Sequence, residues 1–253
     1  MPSFASSTLT KVPAISLSFW IIKILATTFG ETAGDTVSMS MNLGYLVGTG
    51  IFATLLIVLV ALQIRARQFH PLLYWATIIA STTAGTTLAD FVTRSLGIGY
   101  PGGSLLLLGA VLTSLAVWHR ALGTISVSSV HEPRAEIYYW LTITFSQTLG
   151  TALGDWVADG SLGYLGAAVV FGTLLALLAL ALYRTSVSRV ALFWAAFILT
   201  RPLGAVVGDF LDKPVAHGGL ELSRAGASFV LGLAIATLIL AIPQRAAETS
   251  AAE

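Results

Sequence analysis

Along the chain, long stretches that are apolar on every side alternate with short polar joints. The run GTGIFATLLIVLVAL is of this kind. It lacks the strict alternation of a lipid-facing β-strand, and so predicts a helix in lipid rather than a strand of an outer-membrane barrel. A helix needs about 20 mostly apolar residues to cross a hydrocarbon layer roughly 30 Å thick. Eight stretches reach that length, near 14–35, 43–64, 72–92, 103–122, 136–157, 163–183, 190–211 and 222–243.

The polar positions inside these stretches recur. FWIIKILATTFGETAGD, YWATIIASTTAGTTLAD, YWLTITFSQTLGTALGD and FWAAFILTRPLGAVVGD align without a gap on the pattern W-x9-G-x4-D, at Trp20, Trp75, Trp140 and Trp194. A glycine follows each Asp by eight or nine residues, with a tyrosine after it in Gly44-Tyr45, Gly99-Tyr100 and Gly163-Tyr164 and without one at Gly218. A plainer apolar helix comes next each time. The unit is a two-helix hairpin occurring four times, approximately 11–71, 72–133, 134–189 and 190–245, in one transmembrane domain 1–245 with a short polar tail 246–253. Each unit crosses the membrane twice, so all four point the same way and any symmetry relating them has its axis along the membrane normal. The expected fold is all-α, with eight transmembrane helices in pseudo-fourfold arrangement.

Composition agrees with that reading. Of 253 residues 56% are hydrophobic and 10% charged, with a mean hydropathy of +0.85, against about 25% charged in soluble domains. There is no cysteine, which excludes disulfides and thiolate metal sites. Lys11, Arg65, Arg67, Arg120, Arg134, Arg184, Arg189 and Arg245 fall on one side of the eight-span arrangement, and Arg94, Lys213 and Arg224 on the other. The basic excess places both termini in the cytoplasm. No basic cluster is dense enough for nucleic acid, so the expected partners are the lipid bilayer and a small cation or protons.

The repeats and their tryptophans resemble a bacterial family of uncharacterised membrane proteins built from domain-of-unknown-function repeats, four tandem two-helix units each carrying a Trp. The resemblance covers about residues 11–243 and rests on Trp20, Trp75, Trp140 and Trp194. It implies the four-hairpin architecture and a bacterial inner membrane, and no activity.

At about 1.5 Å per residue, each Asp lies roughly 22 Å beyond its Trp. The tryptophans are thus expected as anchors at the cytoplasmic interface, and Asp35, Asp90, Asp155 and Asp209 share one depth in the outer half of the bilayer. Gly30 and Gly34, Gly85 and Ala89, Gly150 and Gly154, and Gly204 and Gly208 put small residues four apart, the spacing that lets membrane helices approach closely. An ionised residue at bilayer depth costs about 2.5–3.5 kcal/mol on insertion scales. Either the carboxylates fasten the repeats together or reach the outer headgroups, or they ring a common axis and bind cations.

On the second reading Glu31 joins the four Asp residues, and Thr28, Thr83, Thr86, Thr148 and Thr151 add oxygens on nearly the same faces. Such a set suits a hard cation better than the soft metals that thiolate or imidazole bind. Lys23 and Arg201 are tuning charges; Lys23 is placed either to snorkel or to pair internally, and Arg201 to pair a carboxylate of another repeat. Pro202 should interrupt its helix. Five acids against these two bases leave three surplus negative charges, a condition for shared protons and coupled titration. HExxH, GxSxG and phosphate-loop motifs are absent, His70, His119, His131 and His217 lie in loops or helix ends, and no cofactor is called for. The expectation is a proton-coupled transporter or exchanger for a cation, with a divalent metal foremost; the alternative is a structural or accessory membrane protein.

Overall fold

Serine and proline set where the chain turns helical. Ser16 Oγ accepts from the Phe19 N–H at 3.3 Å and opens α1 (Leu17–Asp35). Pro71 and Pro133, whose missing N–H is no loss in a first turn, open α3 (Pro71–Asp90) and α5 (Pro133–Val157). Ser188 and Ser223 cap α7 (Arg189–Asp212) and α8 (Arg224–Ala241). The remaining helices, α2 (Gly44–Arg65), α4 (Gly99–Leu122) and α6 (Gly163–Arg184), begin at the glycine that follows each Asp. Gly44 and Gly99 have φ of 77° and 73°, a left-handed conformation open to glycine, and this sets the reversal from the first helix of a unit into the second. The computed structural model describes residues 9–248.

α1, α3, α5 and α7 form a closed ring in which α1 packs on α3 and α7, and α5 packs on the same two. The outer helices sit outside it: α2 packs on α3, α4 on α5, α6 on α7 and α8 on α1. Each unit therefore lays its second helix against the first helix of the next, and the last unit closes on the first. Leu46, Ile57, Leu105, Val169, Phe229 and Leu240 lie exposed on these outer helices. Five helical stretches among the described residues are long and apolar enough to cross a membrane: Gly44–Arg65, Gly99–Leu122, Pro133–Arg184, Arg189–Asp212 and Arg224–Ala241. An all-helical bundle with an apolar exterior and polar groups turned inward fits a helical membrane protein.

The small residues do what their spacing predicts. A Cβ on Gly30 would meet Thr82 of α3, one on Gly85 would lie 2.9 Å from the Thr148 nitrogen of α5, and one on Gly154 would lie 3.1 Å from Ala205 of α7. A Cβ on Gly204 would meet Thr27 of α1, including its backbone carbonyl carbon at 2.9 Å, and one on Gly208 would come within 2.7 Å of Glu31. The ring thus closes through glycine contacts at each of its four seams. Gly204→Val is expected to lower stability by about 1–3 kcal/mol, the range for overpacking a well-packed core, seen as an earlier midpoint in SDS-induced unfolding. An unchanged midpoint would mean that α1 and α7 can part freely.

The helical bundle carries one small addition: Leu9–Pro13 (β1) pairs antiparallel with Ala246–Glu248 (β2), so the start of the expected polar tail is a strand; residues 249–253 lie outside the described ones. Two expectations need correction. α7 runs unbroken through Pro202. Three of the four expected anchors do not face headgroups: Trp75, Trp140 and Trp194 are buried, because the helices that carry them form the inner ring, whereas Trp20 is half-buried.

Instead the aromatic pairs fill one end of the ring. Phe19 against Trp20, Tyr74 against Trp75, Tyr139 against Trp140 and Phe193 against Trp194 all meet edge to face, with centroids 5.1–5.4 Å apart, an arrangement the ring quadrupoles favour. The Tyr74 and Tyr139 hydroxyls bond at 2.6 Å. β1 lies over this layer with Val12 in its core, held by Lys11, whose Nζ donates to Glu136 Oε1 at 2.6 Å and to the Gln63 and Ile64 carbonyls at the end of α2.

Candidate functional site

At the opposite end of the ring, Asp35, Asp90 and Asp155 occupy the last turns of α1, α3 and α5, and Asp209 sits one turn before the end of α7; all four are at most 5% exposed. A carboxylate at a helix C-terminus is opposed by the macrodipole, so local helix stability does not select these residues. Each instead meets a base. Arg94 spans two of them, with Nε 3.0 Å from Asp90 and Nη2 3.0 Å from Asp155. Lys213 Nζ meets Asp35, lies 2.9 Å from Asp209 and 3.8 Å from Asp212. Arg224 Nε lies 3.1 Å from Asp212 and 3.9 Å from Asp35.

Burial pulls the pKa of Arg94 and Lys213 down, but their carboxylate neighbours outweigh it. Asp90 and Asp155 hold Arg94 above its ordinary value, and Asp209, Asp35 and Asp212 hold Lys213 well above its own. Both bases stay charged at neutral pH. Sequence reasoning counted Arg94, Lys213 and Arg224 only as markers of orientation and passed over Asp212. Five bases now face six acids, so the column carries one surplus negative charge where three were expected.

One layer deeper lies Arg201, fully buried. Its Nη2, with two N–H groups, lies within hydrogen-bond reach of three acceptors, Glu31 Oε2 at 2.9 Å, Thr86 Oγ1 at 2.6 Å and Thr151 Oγ1 at 2.5 Å. Glu31, Thr86 and Thr151 each stand four residues before the Asp of their repeat; repeat four has Ala205 there and sends Arg201 from one turn earlier into the shared space. The expected pairing of Arg201 with another repeat's carboxylate is present. Thr28, Thr83 and Thr148 do not join, since their hydroxyls donate to carbonyls of their own helices, Ile24, Ile79 and Thr144.

Deeper still, Lys23 does not snorkel to an interface. It is fully buried, because its face of α1 turns into the ring, and its Nζ donates to Thr200 Oγ1 at 2.7 Å and to the Phe197 carbonyl at 3.2 Å while lying 3.8 Å from the Phe197 ring centroid. No carboxylate among the described residues forms an ion pair with it.

Two features make this column more than a set of fasteners. Glu31, Asp35 and Asp209 each offer a carboxylate oxygen, and these lie within 4.8 Å of one another, close enough to share one cation. A cavity of about 400 Å³ opens at the carboxylate end, lined by Arg94, Tyr100, Asp155, Tyr164, Asp209 and Lys213 among others. Further in, Arg201 Nε and Nη1, Ser146 Oγ and both amide atoms of Gln147 are buried with no hydrogen-bond partner in the protein, and buried polar atoms of this kind are normally satisfied by ordered water.

The family described as Repeat of Unknown Function (DUF347) matches four successive stretches, residues 18–69, 73–124, 138–188 and 192–244. Each stretch holds one ring helix and the outer helix that follows it. No curated protein and no solved structure matches the chain.

Proposed function

Since the chain belongs to this DUF347 repeat family, whose description carries no activity, we propose from the site itself that it is a proton-coupled transporter or exchanger of a cation across a bacterial inner membrane. In this reading all eight helices cross the bilayer, the four repeats are related by a pseudo-fourfold axis along its normal, both termini are cytoplasmic and the carboxylate end faces outward. The observation that carries it is the burial of Asp35, Asp90, Asp155, Asp209 and Glu31 in one column whose mouth opens into a cavity. Their counter-ions Arg94 and Lys213 belong to the segments that leave the ring helices, so they can yield to an incoming cation without unpacking the ring. A cation entering from outside exchanges with Lys213 at Asp209 and Asp35. Glu31, within reach of the same oxygens, then trades its bond to Arg201 for a proton or for the cation.

A second reading keeps one observation in its favour. Every one of the five carboxylates already meets a base, and ion pairs alone could fasten the repeats of an accessory membrane protein.

Flux in proteoliposomes separates the two. Purified protein with an internal pH dye is challenged with monovalent, divalent and organic cations, beside Asp155→Asn. Cation-dependent proton movement, reduced at least about tenfold in the variant, is expected; a tenfold loss corresponds to about 1.4 kcal/mol on the barrier. Silence across the whole panel from folded protein would favour the accessory role.

A further inference from the structure

The cavity at the carboxylate end says what kind of cation fits there. At about 400 Å³ it falls within the roughly 300–1,000 Å³ of small-molecule sites, far above the volume of one water, about 30 Å³. Its walls are of three kinds. Asp155, Asp159 and Asp209 supply carboxylates, Tyr100 and Tyr164 supply aromatic rings, and Arg94, His217 and Lys213 supply basic groups, the Lys213 ammonium being seated among carboxylates. Asp155 is buried at the cavity wall, its Oδ2 paired with Arg94 at 3.0 Å and its Oδ1 without a hydrogen-bond partner in the protein.

Lys213 is the second observation, and it points to a ligand. Its Nζ has three carboxylates, Asp35, Asp209 and Asp212, within ion-pair reach. The ammonium hydrogen-bonds Asp35 and has Asp209 and Asp212 beside it as further counter-charges. Lys213 directly follows α7 and leads into the exposed segment 214–218, so it can leave this seat for solvent. A bare divalent metal would have to strip its own water and expel Lys213. A small organic ammonium replaces Lys213 charge for charge and lays its carbon chain along Tyr164, whose face attracts cations, Tyr100 already having the Arg94 guanidinium 5.8 Å from its ring centroid.

We propose that the cation taken at the outer mouth is a small organic molecule bearing a primary ammonium group, seated at Asp35, Asp209 and Asp212 in place of the Lys213 side chain, which acts as a tethered competitor for the site. This rests on the transport reading above and names its substrate class.

The test is calorimetric titration of purified protein with propylamine, putrescine, tetramethylammonium, 1-propanol, Mg²⁺ and Mn²⁺, followed by flux of the same compounds in proteoliposomes. Propylamine or putrescine is expected to bind at least tenfold more tightly than tetramethylammonium, which has no N–H, and than either metal; propanol should not bind. Lys213→Met is expected to tighten amine binding about tenfold by removing the competitor, whereas Lys213→Arg, which keeps a cation in place, should not tighten it. Should Lys213→Met fail to fold, the wild-type order of ligands decides alone. Flux of Mg²⁺ or Mn²⁺ with no response to either amine would overturn the amine assignment and leave the transport reading standing. No binding and no flux from folded protein would overturn both.

Discussion

Arg201→Met is expected to be the most damaging single change in the ring, lowering stability by about 3–5 kcal/mol, the range for breaking a buried ion pair by removing one partner. The variant leaves Glu31 buried, with Asp35 and Asp209 oxygens within 4.8 Å of its own and only the Thr86 hydroxyl, at 3.3 Å, as a donor. It also takes from Thr86 and Thr151 the group that ties α3 and α5 to α7. The double variant Glu31→Gln, Arg201→Met removes both charges and should recover much of the loss, since neutral replacements of a buried pair are often tolerated. SDS titration in mixed micelles measures both. A single variant as stable as the wild type would mean that Arg201 does not hold the ring together, and equal damage in single and double variants would place its value in packing against Gly150 rather than in charge.

The period W-x9-G-x4-D made the repeat, the helix limits and the shared level of the carboxylates at one end of the ring legible, because a fixed spacing on parallel helices fixes a common level. Glycines four apart announced the seams, since in lipid close packing must drive association. The bases that complete the site were harder to see, as they lie outside the repeated phrase. A signal did exist: Arg94 follows Asp90, and Lys213 follows Asp209, by four residues, the spacing that sets opposite charges side by side on a helix. It is present in two repeats only, so a search for what all four share passes over it.

Other features depend on contacts that no local pattern encodes. β1 finds its partner more than two hundred residues away. The tryptophans were assigned to an interface by the usual preference of the indole ring, but a helix enclosed by other helices has no interface to offer. Whether Lys23 snorkels or turns inward depends on the face of α1 it occupies, which only the closure of the ring on α7 decides.

Lys23→Met is expected to act in the opposite direction from Arg201→Met, raising stability by about 1–4 kcal/mol, the gain measured when buried charges give way to apolar groups of similar size. Two hydrogen bonds and an aromatic face are what Lys23 has, and with no carboxylate paired to it they do not offset the desolvation of an ammonium. Methionine fills the same space against Phe197 and Thr200, whose hydroxyl keeps its own bond to the Phe197 carbonyl at 2.9 Å. On the transport reading proposed above, the residue is kept at this cost for proton transfer, in line with the general trade of stability against function at active sites. Lys23 lies between the Arg201 layer and the aromatic end, where, on the proposed reading, an amine able to take and give a proton would extend the path beyond Glu31. The variant should thus unfold later in SDS and yet lose proton movement in proteoliposomes. Later unfolding with unimpaired flux would remove Lys23 from the coupling path, and earlier unfolding would make it a packing element of the α1–α7 seam.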